Sequence, residues 1–150
     1  MVLAKLALRP GLVLWDVGAG CGSVGLEASL LLTGGRICAV EQDPERAAQI
    51  RANAEKFGVR NLEVVCGRAP GCLANLPAPQ RVFLGGGGRN LGEILPVVLG
   101  RLEKGGRVVL TATRLASAAS SLQAARTKLE NLKNQVTEAD LASARATLLG

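Results

Sequence analysis

Residues 12–22 read LVLWDVGAGCG, and the reading of this stretch decides the fold. Positions 12–17 form an apolar run interrupted only by Asp16 and closed by glycines, which predicts a buried strand. The glycines then lead into a helix predicted over residues 22–32, with Leu26 and Leu30 facing inward, until Gly34-Gly35 breaks it. Strand, glycine loop and helix in that order place loop N–H groups and a positive helix end at the strand's carboxyl terminus.

Moving outward, the same alternation repeats. RICAVE at 36–41 predicts a second strand ending on a carboxylate. Asp43-Pro44 predicts an N-cap with proline at the first helical position, and the helix should run from Pro44 to Lys56, where Gly58 closes it. Leu62 to Cys66 and RVFL at 81–84 predict two more strands, and RVVLTA at 107–112 a fifth. Between the last two, residues 90–102 read as a helix that Pro96 should bend or break. Strands alternating with helices imply an α/β fold with a mostly parallel, doubly wound sheet of Rossmann-like type. Ligands in such sheets bind at the carboxyl ends of the strands, beside the switch point.

The last third changes character. Leu115, Leu122, Leu129 and Val136 recur every seven residues, with Ala118, Ala125 and Leu132 between them. This predicts an amphipathic helix over about 116–133, packed on the sheet or, as the alternative, on another helix. Residues 135–149 read equally as a sixth strand or as more helix. The length, 150 residues, predicts one domain.

Composition narrows the chemistry. The chain has no histidine and four cysteines, Cys21, Cys38, Cys66 and Cys72, with no CxxC pair. Zinc sites of the usual ligand sets and histidine-dependent nucleophilic catalysis are thereby disfavoured. The cysteines read as buried or half-buried free thiols in a reducing, cytoplasmic compartment. No apolar run is long enough to span a bilayer, and the segment from Met1 to Pro10 lacks the features of a signal peptide. The net charge is +6, but the cations are scattered, and the aromatic residues are only Trp15, Phe57 and Phe83. That argues against single-stranded nucleic acid and fits an anionic small substrate.

The residues that point to a ligand sit at the predicted strand ends. The loop Gly18-Ala19-Gly20-Cys21-Gly22 can bring backbone close to a ligand; the alternative is a tight turn. Glu41 stands where a carboxylate accepts from ribose hydroxyls, or is a solvated charge or helix cap. The spacing is G-x-G-x-G, with Ser23 where a dinucleotide fingerprint has its third glycine, and Asp16 precedes the loop. A carboxylate there suits a cationic sulfonium bearing an ammonium group, so S-adenosyl-L-methionine is the predicted cofactor. Cys66-Gly67-Arg68-Ala69-Pro70 would border adenine, with Arg68 or Ala69 offering a backbone N–H, unless it is a simple turn. Gly85 to Gly88 would leave room for a large acceptor, and Asn90 reads as the cap of the next helix, the alternative being a catalyst.

Together these segments resemble the decarboxylating precorrin-6Y / cobalt-precorrin-6B carbon-15 methyltransferases of cobalamin biosynthesis. The resemblance runs through LALRPGLVLWDVGAGCGSVGLEA, AVEQDPERAAQIRANAEKFGVRNLEVVCGRAP, VFLGGGG and LGEILPVVLGRLEKGGRVVLTA, and ends weakly with VTEADLASARATLLG. It implies an S-adenosyl-L-methionine-dependent methyltransferase fold and an anionic tetrapyrrole acceptor, methylated with loss of carbon dioxide from an acetate side chain. It implies that Gly18, Ala19, Gly20, Cys21 and Gly22 hold the methionine part, Glu41 the ribose, and Arg68 and Ala69 the adenine edge. A homotetramer is also implied. Against the family's pattern, Arg68 replaces an acidic residue, the run Gly85 to Gly88 lacks a serine, and the chain reads as truncated at both ends. No catalytic residue is assigned; Arg89 and Arg114 are candidates for holding the acetate, or are solvated surface charges. The competing readings are a methyltransferase of the same fold acting on RNA or another small molecule, and a non-catalytic remnant.

Overall fold

The computed structural model describes residues 2–86, 90–111, 120 and 122–131. Its elements in chain order are α1 (Val2–Leu6), β1 (Val13–Val17), α2 (Ser23–Ser29), β2 (Arg36–Glu41), α3 (Pro44–Lys56), β3 (Leu62–Cys66), β4 (Arg81–Leu84), α4 (Leu91–Arg101) and β5 (Arg107–Leu110). A single 3₁₀ turn, Gly71–Leu73, lies between β3 and β4. The five strands form one sheet in the order β3-β2-β1-β4-β5. Every pairing among the described residues is parallel, and β1 lies between β2 and β4 with Trp15 opposite Cys38 and Val82. The chain steps outward from β1 to β3 and then crosses back to β4, so the switch point lies between β1 and β4.

Period-two alternation distributes the core onto both faces. Trp15, Val17, Cys38, Val40, Val82 and Leu84 pack with Leu91, Ile94, Leu95 and Val98 of α4. Leu14, Ile37 and Phe83 point the other way and pack with Leu6 of α1 and Ala28 and Leu32 around α2. The Trp15 indole is fully buried and donates its N–H to the Pro77 carbonyl at 3.0 Å. Residues 122–131 are helical, and Ala125 joins the α4 side of the core while Leu129 is half-buried and Leu122 exposed. This helix therefore packs on the body of the domain. Leu115, Ala118, Leu132, Val136 and the ambiguous stretch 135–149 lie outside the described residues.

Local chemistry explains the element ends. Asp43 Oδ1 accepts from the N–H groups of Glu45 and Arg46 at 2.9 and 3.4 Å, and Pro44 opens α3 as expected. At the other end the Gly58 N–H returns to the Glu55 carbonyl at φ +65°, a conformation glycine adopts without strain. Three expectations are corrected and a fourth is narrowed. The helix predicted to reach residue 32 ends at Ser29, so Leu30 is 80% exposed, and Gly25 and Ala28 face inward instead. The fifth strand stops at Leu110, short of Thr111. Of the two outcomes expected at Pro96, a bend or a break, the break does not occur: α4 continues through it. Cys21 and Cys66 are exposed rather than buried, because both lie at strand-end loops; only Cys38, inside β2, is fully buried.

The amino ends of the strands are closed by arginines. Arg107 Nη1 donates to the Lys5 carbonyl at 2.9 Å, and Arg81 donates to the carbonyls of Ala7 and Gln80 at 3.4 and 2.7 Å. Arg101 donates to the carbonyls of Leu73, Ala74 and Leu76 and lies over the Trp15 ring. Among the described residues no helix is long and apolar enough to cross a membrane.

Candidate functional site

At the carboxyl ends of the strands the switch point opens into a cavity of about 670 Å³. Its floor is the apolar strand tips Val17, Val40 and Leu84, and one wall is the glycine loop through Gly18 and Gly20. Above β2 and β3 it is bordered by Glu41, Gln42, Arg46, Gly67, Arg68 and Ala69. Above β4 and β5 it is bordered by Gly85, Gly86, Asn90, Leu91, Ile94 and Thr111.

The loop after β1 is held by backbone bonds. The N–H groups of Gly18 and Ala19 both reach the Val40 carbonyl, at 2.9 and 3.0 Å, and the Gly22 N–H turns back to the Ala19 carbonyl at 2.9 Å. Gly18 has φ +77°, and a Cβ there would lie 2.0 Å from the Gly85 carbonyl oxygen. Glycine is therefore required twice, for the left-handed backbone and for the contact between the loops after β1 and β4. Gly22, at φ +82°, sits on the Ile50 side chain, which a Cβ at this position would approach to 2.9 Å.

Glu41 is 5% exposed. Its Oε2 accepts from the Gly20 N–H at 2.8 Å and its Oε1 from the Asp43 N–H at 3.0 Å. The carboxylate thus faces the glycine loop across the cavity floor. The Glu41 carbonyl also accepts from the Gly67 N–H at 2.9 Å, so one residue ties the tips of three successive strands together.

Asp16 behaves differently from the expectation. It is fully buried, on the same face as Leu14, and is not on the cavity wall. Its Oδ2 accepts from the Gly25 N–H at 3.1 Å in the first turn of α2. The N-cap residue Gly22 has no side chain to do this, so Asp16 substitutes for a cap from the strand below. Its Oδ1 has no hydrogen-bond partner. Burial pushes the carboxyl up to about 7, against the Gly25 bond, with the nearby Glu41 charge adding to the rise. Asp16 therefore braces the helix from below and does not line the cavity.

Of the residues predicted from sequence, the structure brings Gly18, Gly20, Glu41, Arg68 and Ala69 onto one cavity. Ala19, Cys21 and Gly22 are not on its wall; they shape the loop from behind. Cys21 is exposed, and hydrogen bonds from the Ser23 backbone and hydroxyl hold its thiol below the ordinary range. Asn90 stands at the N-cap position of α4, but its side chain makes no cap hydrogen bond and the residue borders the cavity. Gln42 and Thr111 also border it and were missed. Both follow directly on a strand's last residue, the position the switch-point rule marks. Arg89 and Arg114 lie outside the described residues.

A family model described as "Precorrin methyltransferase domain" matches residues 1–146. The precorrin-6Y C(5,15)-methyltransferase [decarboxylating] of Sinorhizobium sp is 45% identical over 112 residues, covering 75% of this chain and 27% of that protein. The probable cobalt-precorrin-6B C(15)-methyltransferase (decarboxylating) of Pyrobaculum calidifontis is 49% identical over 107 residues, covering 70% of this chain and 55% of that protein. The chain thus spans about a quarter and about half of these two relatives. Among solved structures, the precorrin-6y C5,15-methyltransferase of Geobacter metallireducens aligns with a TM-score of 0.76 at 44% identity, over 81% of this chain and 64% of that one. The expected Rossmann-like, mostly parallel methyltransferase sheet is borne out, with every pairing among the described strands parallel.

Proposed function

The chain belongs to the precorrin methyltransferase family, and from that membership we propose that it is an S-adenosyl-L-methionine-dependent C-methyltransferase. Its proposed acceptor is a precorrin-type tetrapyrrole, methylated at carbon 15 with loss of the carboxyl group of an acetate side chain, as the relatives' names describe for them. The observation that carries this reading is the Glu41 carboxylate, almost fully buried, bonded to the Gly20 N–H at the head of a cavity set on the switch point.

The residues present fit the cofactor. An ionised carboxylate offers about four acceptor positions. Gly20 and Asp43 take one on each Glu41 oxygen, which leaves acceptor capacity for two ribose hydroxyls. In this reading Gly18 and Gly20 bring backbone against the methionine part, while Ala19, Cys21 and Gly22 fix the loop's shape. Gly67, Arg68 and Ala69 border the adenine. When bound, the cofactor supplies an electrophilic methyl group on a sulfonium. The chain's own part is to bind and orient, holding an acceptor carbon in line with that methyl, where proximity lowers the barrier. The surplus of six positive charges favours approach of a polycarboxylate. A homotetramer and a cytoplasmic setting complete the proposal, the latter in keeping with the free thiols.

Calorimetric titration with S-adenosylhomocysteine tests the cofactor assignment, and carbon dioxide release from a precorrin substrate tests the reaction. Saturable binding together with carbon dioxide release is expected. Absence of heat at millimolar ligand would leave a non-catalytic remnant; binding without carbon dioxide release would point to another acceptor, RNA included. Light scattering checks the assembly.

A further inference from the structure

We propose that Asn90 and Thr111 form a neutral hydrogen-bonding pair that orients the acetate carboxylate of the methyl acceptor. The assignment rests on the proposed function and adds to it the residues that face the departing group.

The cavity is divided by polarity. Every charged side chain among its described lining residues, Glu41, Arg46 and Arg68, lies on the β2–β3 side. On the β4–β5 side the described lining residues with polar side chains are Asn90 and Thr111, beside Leu91 and Ile94. Each is held at its backbone. The Asn90 carbonyl accepts from the N–H groups of Glu93 and Ile94 at 3.0 Å each, which fixes the residue at the head of α4. The Thr111 N–H donates to the Leu84 carbonyl at 3.1 Å, and its hydroxyl lies 3.5 Å from the same oxygen. That is too long for a strong bond, so the hydroxyl gives up little in turning to a ligand. With the ribose placed at Glu41 and the methionine part along Gly18 and Gly20, this half of the cavity is the one left for the acceptor.

Neutral donors suit the chemistry better than a cation. As the acceptor carbon takes the methyl group with a pair from the macrocycle, the methyl–sulfur bond would break with its pair left on sulfur, so the positive charge passes from the sulfonium to the ring system. The bond between the acetate methylene and the carboxyl carbon then breaks. Carbon dioxide leaves, the pair stays on the methylene carbon and neutralises the ring. Solvent protonates that methylene to a methyl group while the ring returns one proton to solvent. Negative charge thus moves off the carboxylate and into the macrocycle. A lysine or arginine paired with the carboxylate would oppose that movement by stabilising the starting state. An amide N–H and a hydroxyl fix its direction while stabilising its charge less.

The test compares wild type with Asn90→Ala, Asn90→Asp and Thr111→Val, reading S-adenosylhomocysteine affinity, carbon dioxide release and product mass. We expect affinity within about twofold of wild type throughout, and carbon dioxide release lower by about 30-fold in Asn90→Ala, as for loss of a hydrogen bond to a charged group. Asn90→Asp should lose more, about 100-fold, because it sets a like charge against the carboxylate. Thr111→Val should lose about fivefold. Methylated product that retains its acetate should rise in the Asn90 variants. Carbon dioxide release within about twofold of wild type in both Asn90 variants overturns the assignment alone. Loss of S-adenosylhomocysteine binding in Asn90→Ala overturns it too, by placing the residue in the cofactor wall. A wild-type chain that binds S-adenosylhomocysteine yet releases no carbon dioxide overturns the proposed function, and this assignment with it.

Discussion

The two ends of the same five strands are chemically opposite. At the carboxyl ends, loop N–H groups and the first turns of helices face inward, and the side chains that meet them are carboxylates: Glu41 on Gly20 and Asp43, Asp16 on Gly25. At the amino ends, carbonyls are what remain to be satisfied, and the side chains that meet them are donors, mostly guanidinium groups: Arg107 on Lys5, Arg81 on Ala7, Arg101 on Leu73 and Ala74, with the Asn61 amide on Leu32. The difference follows from parallel topology, in which each connecting helix starts over the strands' carboxyl edge and ends over their amino edge. One edge is left open as a cavity and the other is closed.

Glycine substitution should break the comparison most sharply. Gly18→Ala drives a Cβ into the Gly85 carbonyl at 2.0 Å and strains a backbone at φ +77°. We expect a loss of about 4 kcal/mol by urea denaturation, together with loss of S-adenosylhomocysteine binding. Gly34→Ala is the control from the opposite edge, with φ +70° and nothing within 4 Å of the new Cβ. It should cost about 1 kcal/mol and leave binding intact. Equal losses at the two glycines would mean that the loop contact contributes nothing.

Glu41→Gln comes next. Its amide can accept from only one of the two N–H groups that the carboxylate serves. S-adenosylhomocysteine affinity should fall about 50-fold by calorimetry, roughly 2.3 kcal/mol. Undiminished affinity would remove the residue from the ribose site. Arg101→Ala sharpens the other half of the comparison. It strips hydrogen bonds from the Leu73, Ala74 and Leu76 carbonyls and uncovers Trp15, so stability should fall by about 2 kcal/mol while affinity stays unchanged. A matching drop in affinity would show that the closed edge governs the open one.

Asp16→Asn is the change with a pH signature. Burial raises the folded carboxyl from 3.8 to about 7, so between those values the folded chain binds more protons than the unfolded one. Its contribution to stability is therefore full below the unfolded value and is lost as pH rises through the folded value. Asparagine can still accept from Gly25 and carries no charge. The variant should match wild type near pH 4, exceed it by about 1 to 2 kcal/mol near pH 5 and by about 4 kcal/mol above pH 7, as thermal melts across that range would show. Parallel stability curves would mean that Asp16 keeps its charge throughout.

Much of this was legible in the residues. Strands β1 to β4 and helix α3 carry local signals that need no partner: apolar runs closed by glycine, and Asp43-Pro44 as cap and first turn. Glu41 was legible because the strand's last residue and the switch-point rule both fix its place. The five-residue helix α1 was not, since Val2 to Leu6 is held by docking against β4 and β5 rather than by caps. Asp16 was misread although strand parity held the answer: it shares a face with Leu14, whereas Val17 and Leu84 line the cavity. Asn90 was legible as the residue at the head of α4, and the structure puts it at the N-cap position; that its side chain makes no cap hydrogen bond there was not legible, because residue type alone does not fix a rotamer. Thr111 needed the sheet order, which no local pattern supplies.

The contact between Gly18 and Gly85 has a consequence for how acceptor choice can diversify on this scaffold. Main chain touches main chain there, so that seam offers evolution nothing to vary. A change of acceptor has to be written into α4 and the residue following β5, which can be exchanged without reopening the joint between the two halves of the sheet.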